Sequence, residues 1–340
     1  MKVLVTGGGG FLGSALTAKL IERGYQVSVL NRRRYPEVEK LGAVSIMADL
    51  SDSAKVAEAC GGMDAVFHTG ARAGFWGSYN DYYSSNVLGT KNVIDGCLKY
   101  GVKKLIYTSS PSVAYNAEDA VNIDESAPYP EKYLCYYSRT KAEAERMVMK
   151  ANGSGGLLTV SLRPHLIWGP GDNHLIPRVI RAAAEKSAAK RLKIVGDGLN
   201  KVDITYIDNA VDAHLNAFDA LAEGSKTAGS VYFISQGEPV VLWEFINRIL
   251  LGTGIPPLKN KVPYGFAYFA GAVSELIYSA FMIKSEPRMT RFLAAQLSKS
   301  HYFDISRAKN ELGYRPKVST EEGLVKLIDY LKNSGVLNNL

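Results

Sequence analysis

Lys2-Val-Leu-Val-Thr6, followed by Gly7-Gly-Gly-Gly-Phe-Leu-Gly13, decides the fold of this chain. The first five residues read as an apolar strand. Leu12, Ala15, Leu16 and Leu20 carry the 3.6-residue period of a helix that Gly24 closes. Between strand and helix, Gly7, Gly10 and Gly13 stand in G-x-x-G-x-x-G spacing. Glycines at that junction permit a tight turn and let the backbone approach a pyrophosphate at the helix N-terminus, where Phe11 and Leu12 open the helix. A purely structural glycine turn is the alternative.

Working outward, further apolar runs follow at 26–30, 44–47, 65–68, 104–108, 158–162 and 231–234, with helical patterns between most of them. Continuous apolar strands alternating with helices imply an α/β fold, a doubly wound parallel sheet of the Rossmann kind. The expected organisation is a Rossmann domain over 1–170, with 200–235 returning to the sheet. Residues 171–199 and 236–340 would form a smaller, mainly helical C-terminal substrate-binding lobe. Ala182 to Ala189 reads as a plain helix. Ser319-x-x-Glu322 caps a last helix with Leu324, Leu327, Ile328 and Leu331 on its buried side.

The second strand ends in Asn31-Arg32-Arg33-Arg34. An acidic residue there would take the ribose 2′-hydroxyl of NAD, whereas an arginine suits the 2′-phosphate of NADP. Asn31 and Arg32 therefore point to NADP(H), a solvated basic loop being the alternative. Asp49 and Leu50, after the third strand, are placed to meet the adenine.

Tyr137-Ser-Arg-Thr-Lys141 lies 27 residues beyond Ser110 and opens a helical pattern. Positions i and i+4 share a helix face, so Lys141 is expected beside the Tyr137 phenol, lowering its pKa from about 10. With Ser110 to hold a carbonyl oxygen, this trio suits reversible hydride transfer. Tyr100 and Lys104 have the same spacing, but Gly101 and the apolar run after it read as a helix end entering a strand.

The net charge of +7 over 340 residues is modest and scattered, which excludes a nucleic-acid stripe. Cys60, Cys97 and Cys135 have neither disulfide-framework nor metal-ligand spacing, and the five histidines form no ligand cluster, so no metal is expected. The N-terminus carries no signal peptide, and a reducing, cytoplasmic compartment fits the cysteines. Tyr264 to Ile283 is rich in Phe, Tyr, Ala and Gly, but Glu275 interrupts it. It reads as a buried or lid helix rather than a spanning one, with contact to a lipid surface or a partner protein as alternatives.

Together these residues resemble the extended short-chain dehydrogenase/reductase family. The likeness covers nearly the whole chain through Asp49-Leu50, His68-Thr-Gly-Ala71, Asn86-Val-Leu-Gly-Thr-Lys-Asn92, Tyr107-Thr-Ser-Ser110, Tyr137/Lys141, Leu162-Arg-Pro164, Tyr206-Ile-Asp-Asn209 and Leu312-Gly-Tyr-Arg-Pro316. The resemblance implies that Ser110, Tyr137 and Lys141 are catalytic, with Ser109 and Ser112 as rivals to Ser110. It further implies that His68, Gly70 and Ala71 line the cofactor, that Asn86 supports the site, that Pro164 and Ile167 flank the nicotinamide, and that the chain forms a homodimer.

Within this family, Pro111-Ser112 stands where sugar-nucleotide dehydratases carry Asp-Glu. The segment Arg163-Pro-His-Leu-Ile-Trp-Gly-Pro-Gly-Asp172 resembles the 3-beta-hydroxysteroid dehydrogenase branch rather than epimerases. A narrower resemblance, to the family of 2-alkyl-3-oxoalkanoate reductases, rests on Ala73-Gly-Phe-Trp-Gly-Ser-Tyr79, Tyr107-Thr-Ser-Ser-Pro-Ser-Val113, Leu166-Ile-Trp-Gly-Pro-Gly-Asp-Asn-His-Leu175 and Tyr232-Phe-Ile-Ser-Gln-Gly-Glu-Pro239. It implies NADPH-dependent, reversible reduction of a β-keto acid bearing two alkyl chains, in bacterial olefinic hydrocarbon biosynthesis. A β-lactone synthetase and a decarboxylase would be its partners, with peripheral membrane contact left open.

Two alkyl chains need an apolar cavity, for which Phe75, Trp76, Trp168 and the aromatics from Tyr264 to Phe281 are candidates against an ordinary core role. Arg72 is the expected carboxylate ligand, with Arg178 and His165 as rivals. A steroid or sterol dehydrogenase, and a non-catalytic dinucleotide sensor or scaffold, are the competing functions. The sensor has no need of a tuned phenol.

Overall fold

A computed structural model describes residues 1–188, 190–335 and 337. Its central sheet has seven parallel strands: β1 (Lys2–Thr6), β2 (Gln26–Asn31), β3 (Val44–Met47), β4 (Ala65–His68), β5 (Lys104–Thr108), β6 (Leu158–Pro164) and β7 (Ser230–Ile234). Their spatial order is β7-β6-β5-β4-β1-β2-β3. The chain starts in the middle, winds one way to β3, then crosses to β4 and winds the other way. That reversal opens a crevice between β1 and β4 at the carboxyl ends of the strands. Register brings those ends level: Thr6 pairs with Leu30 and His68, His68 with Tyr107, and Thr108 with Leu162.

Both faces of the sheet are covered, which is why its strands are apolar throughout rather than alternating. On one face lie α1 (Phe11–Glu22) and α6 (Ile207–Ala220), sharing a core with Val3, Val5, Phe67, Val160 and Tyr232. On the other lie α2 (Ser53–Cys60), α3 (Gly89–Tyr100) and α4 (Tyr136–Ala151), around Leu4, Val66, Leu105 and Tyr107. Gly101 is the left-handed residue that ends α3, and Lys104 starts β5 three residues on. The second Tyr-x-x-x-Lys match is thus a helix end entering a strand, as its glycine indicates.

A separate core holds the C-terminal lobe: α5 (Leu175–Ala184), α7 (Leu242–Gly252), α8 (Tyr264–Ala280), α9 (Arg291–Ser298) and α10 (Thr320–Asn333). The helix expected through Ala189 ends at Ala184, and Ala189 itself lies outside the described residues. Ser319 caps α10 by accepting from the Glu322 amide, and Leu324, Leu327 and Leu331 are buried as expected. A four-stranded sheet that the sequence pattern does not announce joins 240–241, 201–202, 301–303 and 120–123. Its strands are too short to show a period.

The expectation of a buried or lid helix at 264–283 is only half met. Ala267 and Gly271 press inward, Gly271 so closely that a Cβ would sit 2.6 Å from the Thr290 carbonyl carbon. The opposite face leaves Phe266, Phe269, Leu276, Ile277, Phe281 and Met282 exposed. Among the described residues no helix is long and apolar enough to cross a membrane.

Candidate active site

The glycine loop is shaped by backbone crowding. Gly7 has φ +70°, and a Cβ on it would meet the Gly70 backbone at 2.7 Å; a Cβ on Gly13 would lie 2.2 Å from the Gly7 carbonyl oxygen. Only glycine lets the ends of β1 and β4 approach the first turn of α1 in this way. Gly10 caps α1 with no side-chain partner, leaving the N–H groups at Phe11 and Leu12 for an anion. Leu50 packs against Gly70 and Gly89, and its carbonyl accepts from Asn92.

Asn31 ends β2 buried. Its Oδ1 accepts from the Gly9 amide at 3.0 Å, while its Nδ2 has no partner. A buried amide donor without an acceptor is costly, and it faces the place where a dinucleotide's ribose would lie. Of the three arginines that follow, Arg34 pairs with Glu39 and Arg33 lies 5.0 Å over the Tyr35 ring. Arg32 is exposed, joins no ion pair among the described residues, and helps hold the Asp49 carboxyl below its ordinary pKa after the Ser51 hydrogen bonds. The glycine cradle and the orphaned Asn31 donor fit a dinucleotide.

His68 does not line the crevice with its ring. It is fully buried, bonded to Thr6 Oγ1 at 2.6 Å and Thr90 Oγ1 at 2.9 Å, and burial drives its pKa down to about 3. It is a neutral tie between β1, β4 and α3. Asn86 stands in a π-helical turn, Tyr83–Leu88, a distortion that favours functional sites. Its side chain accepts from the Arg72 amide at 2.7 Å and donates to the Arg72 carbonyl and Thr140 Oγ1, fixing the loop after β4 to α4.

Ser110, Tyr137 and Lys141 are brought together by β5 and α4. The Ser110 hydroxyl favours the Tyr137 phenolate by hydrogen bonding, but burial dominates and pushes the phenol up to about 12. Lys141 is buried and its pKa is depressed to about 7, again by burial, with Glu145 acting the other way. Its Nζ donates to the Thr108 carbonyl at 2.6 Å and lies 4.2 Å over the Tyr107 ring. The expected lowering of Tyr137 by Lys141 is therefore not met: burial sets the direction of the phenol, and the lysine is turned to the Thr108 carbonyl. Ser112 bonds to Ser110 at 3.0 Å, and Ser109 is buried on the Glu145 side, so Ser110 is the serine that meets the phenol.

Tyr137 also belongs to an apolar wall with Phe75, Tyr115, Cys135, Tyr264 and Phe292. Tyr264 is among the aromatics expected from the sequence; Tyr115 and Phe292 come from two other distant segments and carry no motif, so sequence spacing could not single them out. Trp76 is close by, donating from Nε1 to the Ile283 carbonyl at 3.0 Å and packing edge-on against Tyr278. Trp168 is not a cavity residue: it is fully buried between Tyr206 and Phe245 in the lobe core. Phe266, Phe269 and Phe281 face outward instead of lining a cavity.

Three basic groups were candidates for an anion. His165 is buried against His301 at 2.7 Å with its pKa driven well below the ordinary value, so it is neutral and not a cation. Arg178 is committed to Glu286 at 2.8 Å, a carboxylate that also accepts from the Phe75 amide. Arg72 is the least committed, 3.8 Å from Asp81 and half exposed beside the Tyr82 ring. Pro164 closes β6, and Ile167 pairs with Thr205 just beyond it. Leu166 between them has φ +41°, a strained backbone for a branched residue at the crevice edge.

Residues 4–263 match the 3-beta hydroxysteroid dehydrogenase/isomerase family. The chain belongs to that family.

The chain is similar to the 2-alkyl-3-oxoalkanoate reductase of Stenotrophomonas maltophilia, 48% identical over 96% of this chain and 98% of that one. The enzyme of the same name from Shewanella oneidensis is 46% identical over 95% and 84%. A 3beta-hydroxysteroid-dehydrogenase/decarboxylase of Arabidopsis thaliana is 39% identical over 96% and 78%. Among solved structures, gox2253 superposes with TM-score 0.78 at 27% identity, covering 98% of each chain. MoeE5 in complex with UDP-glucose and NAD gives 0.75 at 25%, covering 98% of this chain and 99% of its own. The fold is that of the extended short-chain dehydrogenase/reductases, and the chain is an oxidoreductase of that kind.

Proposed function

We propose that this protein reduces the 3-keto group of a 2-alkyl-3-oxoalkanoic acid to the 3-hydroxy acid with NADPH. The observation that carries the reading is the placement of the Tyr137 phenol, beside Ser110 and packed among Phe75, Tyr115, Tyr264 and Phe292. The names of two similar relatives, the enzymes of Stenotrophomonas maltophilia and Shewanella oneidensis, support the substrate class. The glycine loop, Asn31 and Arg32 would hold the cofactor, with Arg32 on the 2′-phosphate. NADPH, when bound, supplies the hydride.

The chain's own groups do the rest. Ser110 donates a hydrogen bond to the C3 oxygen, strengthening as that oxygen gains charge. Tyr137 passes its proton to the same oxygen. Lys141, when protonated, would put a positive charge on the same helix face as the phenolate left behind. The apolar wall takes the alkyl chains and excludes water. Arg72 is the cation for the carboxylate, since His165 is neutral and Arg178 is already paired. In the reverse direction the same groups remove the hydroxyl proton. The product acid would pass to olefinic hydrocarbon synthesis through the β-lactone synthetase and decarboxylase that the resemblance implies.

The test is NADPH oxidation followed at 340 nm with a synthetic 2-alkyl-3-oxoalkanoic acid, beside Tyr137→Phe and with a 3-beta-hydroxysteroid and NAD as contrast. Turnover of the keto acid, reduced about 1,000-fold in the variant, is the expected result. Turnover of the steroid alone would replace the substrate reading and leave the catalytic one.

A further inference from the structure

Tyr137, Lys141 and Glu145 stand at i, i+4 and i+8 of α4, so one helix face carries phenol, ammonium and carboxylate in succession. Glu145 is fully buried and densely held. Arg163, on β6, forks onto it at 2.6 Å and 3.1 Å, Ser161 donates at 2.8 Å and Tyr129 at 2.7 Å. The Arg163 guanidinium is itself wedged over the Phe233 and Tyr129 rings.

An ion pair this deep is expensive to desolvate, and apolar residues could join α4 to β6 as well. Its position behind the lysine gives it a second use. The groups around the Lys141 ammonium are the Tyr107 ring and the Thr108 carbonyl from β5, neutral His68 from β4, and Tyr137 and Glu145 from α4 itself. Arg163 lies beyond the carboxylate. Glu145 is thus the anion that opposes the loss of the Lys141 proton to burial.

We propose that Glu145 is a positioning residue that acts through Lys141: clamped to β6 by Arg163, it holds the lysine in its charged form and the end of β5 in register with it. The inference rests on the Tyr137–Lys141 assignment and not on the identity of the substrate. It predicts that a change at Glu145 alters the pH at which the lysine works, which a merely structural tie between α4 and β6 would not do.

The experiment uses Glu145→Gln, which keeps shape and acceptor but removes the charge. Protein labelled with 13C at lysine Cε is titrated by NMR without cofactor, the Lys141 signal being the one lost in Lys141→Arg. The Lys141 midpoint is expected to fall by about one pH unit in Glu145→Gln. The alkaline limb of the keto-acid reduction profile should fall with it, at nearly unchanged KM. Ser161→Ala, which removes a hydrogen bond and no charge, should leave the midpoint where it was.

Should Glu145→Gln fail to fold, Glu145→Gln combined with Arg163→Met removes the pair together, and the same downward shift is expected. An unshifted Lys141 midpoint in a folded variant would overturn the proposal and leave a structural ion pair. A shifted midpoint in a protein that turns over no keto acid would uphold it and overturn the substrate reading instead.

Discussion

The two walls of the crevice are tied together over very different lengths of chain. On the cofactor side, Asn31 reaches Gly9 across 22 residues, and Gly13 folds back on Gly7 within one turn. On the substrate side, Trp76 is fastened to Ile283 across 207 residues and Phe75 to Glu286 across 211. The first wall is set by close backbone contacts inside the sheet half, Gly7 against Gly70 among them, and none of these reaches the lobe. The second exists only when the lobe has closed on the sheet, so its shape is a property of the whole molecule. Cofactor grip and substrate fit are therefore separable by mutation.

The sharpest attempt to break that separation is Gly13→Ala. Its Cβ would meet the Gly7 oxygen at 2.2 Å. NADPH affinity, read by fluorescence titration, should fall about 100-fold, the equivalent of ~3 kcal/mol, while the lobe's thermal transition stays put. A parallel collapse of both would show that the walls are one unit.

Acid offers the next test. Burial holds His68 at about 3 and His214 at about 4, both on the sheet side. An unfolded histidine titrates near 6.5, so the unfolded chain takes up protons first. The contribution of these two histidines should be flat above about pH 6.5 and turn unfavourable below it, each costing about 2 kcal/mol by pH 5. Urea unfolding at pH 7.5 and pH 5 measures this. Trp76, Trp168 and Trp243 report the substrate wall and lobe, while circular dichroism reports the whole, so coincident transitions would mean one cooperative body.

Arg32→Ala should weaken NADPH about tenfold and leave NADH alone, the exposed guanidinium being screened by solvent. Equal losses for both nucleotides would remove Arg32 from the 2′-phosphate. The smallest effect belongs to Trp76→Phe, which keeps the ring and loses the bond to Ile283. About a fivefold rise in keto-acid KM is expected, with NADPH affinity unchanged.

Sequence legibility follows the same divide. The seven strands, the glycine loop and the Ser110–Tyr137–Lys141 constellation are visible because each is a short pattern whose physics is local. Tyr115 and Phe292 are not, since nothing in their neighbourhoods distinguishes an aromatic at a site from one in a core. Trp168 shows the same ambiguity resolved the other way: it looked like a cavity residue and is packed between Tyr206 and Phe245. Tyr137 shows a second limit. Spacing announces a lysine on the same helix face, but only the packed structure shows that burial governs the phenol and that the lysine is turned to a backbone carbonyl.

The outward face of α8 gives this protein an up and a down. Phe266, Phe269, Leu276, Ile277, Phe281 and Met282 gather on one side, and the helix's single acidic residue, Glu275, is turned inward to Arg291. A polar body that gathers six large apolar side chains along one stripe is a surfactant in outline. At an oil–water or air–water boundary it would settle in a single orientation, the stripe in the oil or air and the Rossmann sheet in the water.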